Sequence, residues 1–188
     1  MDSSARRSST TIVLLIIILL MGVEIIYLVR QNRQLRTVAA EQSTLQIMQQ
    51  GQSVPPLRAL DLDGRAVELD FDGKTSTILV WFSPSCHVCK ENVSFWNDIF
   101  NRFQNDRVRF LALSDAEQTE TKAYAAENNL TLPVIIMTDS DLIEAYNGHI
   151  MPQTALISCQ GRIEKVWPGA LEKSRQDEII AALDSLSR

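Results

Sequence analysis

Polar and apolar positions divide the chain into four stretches. Residues 1–11 are a polar N-terminal tail. Ile12–Val29, IVLLIIILLMGVEIIYLV, is apolar except for Glu24. At ~1.5 Å of rise per residue such a helix spans roughly 27 Å, near the thickness of a bilayer's hydrocarbon core. The run is too long for the apolar core of a signal peptide, and no small-residue cleavage pattern follows it. It therefore predicts a transmembrane anchor, with Glu24 close enough to the Val29 end to snorkel to the interface. Residues 30–52 are polar, lack proline and carry scattered apolar side chains such as Leu35, Val38, Leu45 and Ile47. They predict a solvated helical stalk. The heptads are poor, with Gln42 and Gln49 standing where apolar residues should recur. Ser53–Pro56, SVPP, ends the stalk and opens a domain over 53–188.

Within that domain the period switches repeatedly between two and 3.6 residues. Leu57–Leu69, with a turn at Asp63-Gly64, reads as a hairpin, and Asp72-Gly73 makes a second turn. Thr77–Phe82, TILVWF, reads as a buried central strand. Trp96, Ile99, Phe100 and Phe103 follow helical spacing and place a helix over about 86–104. Val108–Leu113 is a strand, Thr119–Asn128 a helix, Val134–Met137 a strand and Asp141–Tyr146 a short helix closed by Asn147-Gly148. Thr154–Ser158 and Ile163–Trp167 flank Gln160-Gly161 as an antiparallel hairpin, and Lys173–Leu186 is a closing helix. Parallel β-α-β units followed by a hairpin and a helix predict an α/β fold, a mixed central sheet flanked by helices on both faces.

Charge and composition narrow the chemistry. The net charge of −5 argues against nucleic acid as a partner, because such proteins usually show a basic face. Three cysteines are too few for a disulfide-stapled scaffold. Two of them, Cys86 and Cys89, sit at the strand–helix junction in WFSPSCHVCKENV. Cys86 starts the helix, where free N–H groups and the helix dipole stabilise a thiolate. Cys89 falls one turn later on the apolar stripe. One accessible acidic thiol and one buried neighbour suit an attacking and resolving pair. A c-type haem site would need His at position 90, which is Lys90, and a zinc site would need a further ligand pair. A disulfide over so short a loop adds little stability.

These motifs resemble a known family. ALDLDGRAVELDFDGKTSTILVWFSPSCHVCK and MPQTALISCQGRI, in this element order from about Val54 to Leu186, are similar to the membrane-anchored TlpA/ResA-like thioredoxins with their redoxin (AhpC-TSA-type) domain. The SPSCHVCK segment is most like that of the MauD-type members. The resemblance implies a thioredoxin-like fold and a thiol-disulfide oxidoreductase with no cofactor. It implies that Cys86 attacks, Cys89 resolves, and Pro152 is a cis-proline packed against the pair. It also implies partners: protein substrates with cysteine pairs, a membrane or periplasmic redox partner, and the bilayer through residues 12–29. The implied location is the bacterial inner membrane with the C-terminal domain in the periplasm, and the implied task is disulfide reduction during maturation of extracytoplasmic proteins. The arginines do not favour that orientation, since Arg6 and Arg7 precede the span while Arg30, Arg33 and Arg36 follow it.

The departures from the family are local. Ser85 stands where the family often has Trp, and Val88 where it often has Pro. Val80 stands where thioredoxin has a buried acid. Asn92 stands where the family has a glutamate, and Glu91 beside it points ~100° away on a helix. Both histidines, His87 and His149, fall near the pair. His87, between the cysteines, is read as stabilising the Cys86 thiolate. Cys86, Cys89 and His149 offer an alternative function, a copper site of the kind used by Sco-type metallochaperones, although those use a CxxxC spacing. Cys159, at the far end of the strand after Pro152, is expected to be an ordinary small residue some 20 Å away.

Overall fold

The computed structural model describes residues 19–32, 47–71 and 73–186. The chain divides into two units, 1–43 and 44–188. In the first, residues 19–32 are helical, and Leu19, Leu20, Ile25, Ile26 and Leu28 are exposed. Among the described residues no helix is long and apolar enough to cross a membrane. The tail, residues 12–18 of the expected anchor and residues 33–46 of the expected stalk lie outside the described residues.

The second unit is built on one seven-stranded sheet. Its strands are β1 (Leu57–Asp61), β2 (Ala66–Leu69), β3 (Ser76–Trp81), β4 (Val108–Ser114), β5 (Val134–Ile136), β6 (Gln153–Ile157) and β7 (Ile163–Pro168). Their order across the sheet is β2-β1-β5-β4-β3-β6-β7. The β3–β4 and β4–β5 pairs are parallel, and the others are antiparallel. Four helices complete the unit: α1 (His87–Phe103), α2 (Gln118–Glu127), α3 (Ser140–Ala145) and α4 (Lys173–Leu186).

Period-two alternation along the central strands splits the core into two layers. Ile78, Val80 and Phe82 join Phe110, Ala112, Val134 and Ile136 on one face. That face is covered by Trp96 and Ile99 of α1, Tyr124 of α2, and Ile179 and Leu183 of α4. Leu79 and Trp81 join Leu111, Leu113, Ile135 and Ile157 on the other. Here the cover is less regular: Leu57 and Leu69 from the β1–β2 hairpin, Tyr146 just after α3, and Met48 and Val54 from the segment before β1.

That last contribution differs from the sequence expectation. Residues 47–52, the end of the expected helical stalk, are not helical. They lie on the domain as a strap, with Met48 only 1% exposed. Backbone bonds fix the strap: Gly51 N–H donates to Ile163 O at 2.8 Å, Ile163 N–H to Gln52 O at 2.8 Å, and Val54 N–H to Gly161 O at 2.8 Å. Leu45, Ile47 and Met48 follow neither a period of two nor one of 3.6, so the burial of Met48 carries no signal in the pattern.

Candidate functional site

The site lies at the end of β3. The chain leaves the sheet after Trp81, turns through Ser83–Ser85, and enters α1 with Cys86 as its N-cap. Cys86 has extended backbone, φ −87° and ψ 104°, and its Sγ accepts a hydrogen bond from Cys89 N–H at 3.1 Å. The thiol thus occupies the place where a serine or aspartate ordinarily satisfies a free N–H of the first turn. α1 has no acidic residue in that turn, so nothing there opposes the dipole's stabilisation of a negative sulfur.

Cys86 and Cys89 are joined as a disulfide with Cα atoms 5.3 Å apart. Cys86 is half-buried and Cys89 fully buried. Cys89 shares the inner stripe of α1 with Asn92, Val93, Trp96, Ile99 and Phe103, all buried. The asymmetry expected of an attacking and resolving pair is therefore present, imposed by helical periodicity alone.

Pro152 immediately precedes β6, and the Met151–Pro152 bond is cis. β6 runs antiparallel to β3 with Gln153 opposite Trp81, so Pro152 and the chain leading to Cys86 lie at the same end of these two neighbouring strands. Met151 is half-buried and packs against both core layers, including the one that holds Cys89. Two side-chain ties bind α1 to this strand. Trp96 Nε1–H donates to Thr154 Oγ1 at 3.0 Å. Asn92 Nδ2 donates to Gly169 O at 3.1 Å, and Gly169 N–H donates to Pro152 O at 2.8 Å. Gly169 holds φ +80°, a conformation that favours glycine and lets both its backbone groups serve this bridge.

Asn92 also accepts from Leu171 N–H at 2.9 Å. Only 3% exposed, it is fully engaged with backbone groups. A side-chain amide there neither takes nor gives a proton, so the acid–base role implied by a glutamate at this position is absent. Glu91 is exposed, as its rotation on the helix predicts.

The histidines part company. His87 is exposed, with Nε2 3.8 Å from Glu91 Oε1. His149 Nε2 lies 2.7 Å from Glu144 Oε2. Among the described residues no group of three or more His, Cys, Asp or Glu side chains is assembled to hold a metal. Cys86, Cys89 and His149 are thus not brought together as the copper alternative requires. Cys159 is a free, half-buried thiol beyond the opposite end of β6 from Pro152. Trp81 is buried core, and its ring occupies the space a Cβ at Gly148 would need, 2.6 Å away.

With this geometry established, likenesses to known proteins carry weight. Residues 50–166 match the AhpC/TSA family. The chain belongs to the AhpC/TSA family. Thiol-disulfide oxidoreductase ResA of Bacillus thuringiensis subsp. konkukian is 26% identical over 136 residues, covering 71% of this chain and 78% of that protein. ResA of Geobacillus thermodenitrificans is 27% identical over 125 residues, covering 65% and 71%. Among solved structures, the thioredoxin domain of a thiol-disulfide oxidoreductase from Bacteroides vulgatus superposes with a TM-score of 0.62 at 18% identity, covering 72% of this chain and 99% of that one. The exposed lipoprotein thioredoxin Etrx1 of Streptococcus pneumoniae gives 0.59 at 23% identity, covering 70% and 100%. These superpositions establish the thioredoxin-like α/β fold.

Sequence reasoning missed one buried residue that supports the loop behind the site without touching the cysteines. Gln153 is fully buried directly after the cis-proline. Its signal was an amide opening a short, fully buried strand, QTALI.

Proposed function

We propose that this chain is a membrane-anchored thiol-disulfide oxidoreductase that reduces protein disulfides outside the cytoplasm, with Cys86 attacking and Cys89 resolving. The observation that carries the reading is the N-capping, half-buried Cys86 bonded to a buried Cys89 at the same end of the sheet as cis-Pro152. The ResA relatives named as thiol-disulfide oxidoreductases support the same chemistry.

The mechanism balances within the pair. The Cys86 thiolate attacks one sulfur of a substrate disulfide, forming a mixed disulfide and releasing the other substrate sulfur as a thiolate. Cys89 loses its proton and attacks Cys86 Sγ, closing the Cys86–Cys89 bond and releasing the second substrate thiolate. Two electrons pass to the substrate, whose two thiolates take up protons. An external dithiol then restores the reduced pair. Pro152 presents the surface against which an extended substrate chain lies, and His87, next to Cys86 in the chain, is the imidazole assigned to supporting its thiolate. Anchoring by residues 12–29, a stalk that ends before the strap at residue 47 and a periplasmic domain fit this role, as does the MauD-like SPSCHVCK segment.

The test is the reduction potential of the Cys86–Cys89 pair in the full chain, equilibrated against dithiothreitol and glutathione buffers. A value nearer roughly −270 mV than −120 mV is expected for a reductase. In parallel, Cys89→Ser should accumulate a mixed disulfide on Cys86, and Cys86→Ser should form none. A pair that forms no reversible disulfide sinks the reading.

A further inference from the structure

We propose that the strap over residues 47–54 is a positioning device for the cis-Pro152 loop, and that Gln153 is the residue that joins the two. This rests on the reading of Cys86, Cys89 and Pro152 as a disulfide-exchange site. Gln153 is 0% exposed, yet its amide is saturated by backbone groups from two separate segments. Nε2 donates to Asn147 O at 2.9 Å and to Ile150 O at 2.7 Å, closing the loop that leads into Pro152. Oε1 accepts from Met48 N–H, in the strap, at 2.8 Å across a sequence separation of 105.

The link is reinforced one turn away. Gln52 of the strap donates through Nε2 to Ala145 O at 3.2 Å and accepts from Asn147 Nδ2 at 3.2 Å. Asn147 holds φ 44°, so this loop bends through a conformation that few residues adopt unaided. Met48 itself fills the layer beneath Trp81 and Tyr146. The loop before Pro152 is therefore fixed by the segment that precedes β1. Removing a partner of a buried amide leaves the others unsatisfied, so loop and strap should respond together.

A substrate chain that needs the Pro152 edge should sense this coupling. A small thiol that needs only access to sulfur should not. The decisive experiment uses the full chain and a synthetic peptide bearing one disulfide, with dithiothreitol as electron donor. Gln153→Met keeps the side chain's length and removes all three bonds. It is expected to raise KM for the peptide roughly tenfold. The second-order rate of Cys86–Cys89 opening by dithiothreitol, and kcat, should stay at their wild-type values. Should that variant not fold, the double variant Gln52→Ala, Asn147→Gly cuts the second tie while keeping the positive φ accessible, and KM should rise in the same direction. Equal falls in the peptide and dithiothreitol rates, or an unchanged KM in a folded variant, would overturn the proposal. A wild-type chain that exchanges with neither peptide nor dithiothreitol would instead overturn the oxidoreductase reading beneath it.

Discussion

The two faces of the sheet are covered by different kinds of structure. One carries α1, α2 and α4, whose apolar stripes repeat every three or four residues. The other carries the six-residue α3, a hairpin and an irregular strap held by backbone bonds and side-chain amides. The helical face supplies Cys86 and Cys89. The irregular face supports the loop that ends at Pro152. Met151 packs against both, so the site forms where the helical layer meets the irregular one. On the proposed function, the chemistry belongs to the first layer, and the second positions the Pro152 loop.

The largest expected effect breaks the helical layer. Trp96 is fully buried, and its Nε1–H bonds Thr154 Oγ1. Trp96→Ala removes a large core side chain and leaves that hydroxyl without its donor. It should cost about 3–5 kcal/mol in urea unfolding of the full chain. Helices packed by ridges leave little room for such a cavity to collapse. A cost below ~1.5 kcal/mol would show this face to be the adaptable one.

The same contrast explains what was legible in the sequence. α1 was readable because Trp96, Ile99 and Phe103 repeat at helical spacing, and Cys89 inherits its burial from that stripe. The central strands were readable because both faces are covered, leaving TILVWF without a polar break. The family resemblance supplied the cis form at Pro152, since an X-Pro pair alone favours trans. The strap was not legible. Met48 gains its burial from long-range contact, and Gln153 and Asn92 serve backbone groups that no local pattern announces. Polar residues read as solvent-facing until their partners are known.

Met48 tests the irregular layer at intermediate strength. Met48→Ala should cost about 2–3 kcal/mol, toward the lower end for a buried methionine, because a strap with few helical constraints relaxes more readily into the vacated space. The same urea transition measures it. A loss within ~0.5 kcal/mol would return residues 47–52 to the solvated stalk suggested by their composition.

The smallest expected effect compares one tyrosine from each layer. Tyr124 stacks on Phe82 with centroids 5.4 Å apart, and its buried hydroxyl has no hydrogen-bond partner among the described residues. Tyr146, fully buried in the other layer, donates to Pro55 O at 2.6 Å. Tyr146→Phe should cost about 1 kcal/mol, since it strips a donor from the carbonyl of Pro55, just after the strap. Tyr124→Phe should change stability by less than ~0.5 kcal/mol or raise it, because it deletes an unsatisfied polar atom. Burial pushes both phenols above their ordinary value of 10.0. A raised folded pKa gives stability that is fully present below 10.0 and is lost as pH rises beyond it, because the unfolded chain ionises first. Thermal melts should therefore fall off above pH ~10, and each Phe variant should flatten that decline. If Tyr124→Phe costs as much as Tyr146→Phe at neutral pH, the two layers do not differ in how they satisfy their polar groups. The division of labour between them would then rest on Gln153 and the strap alone.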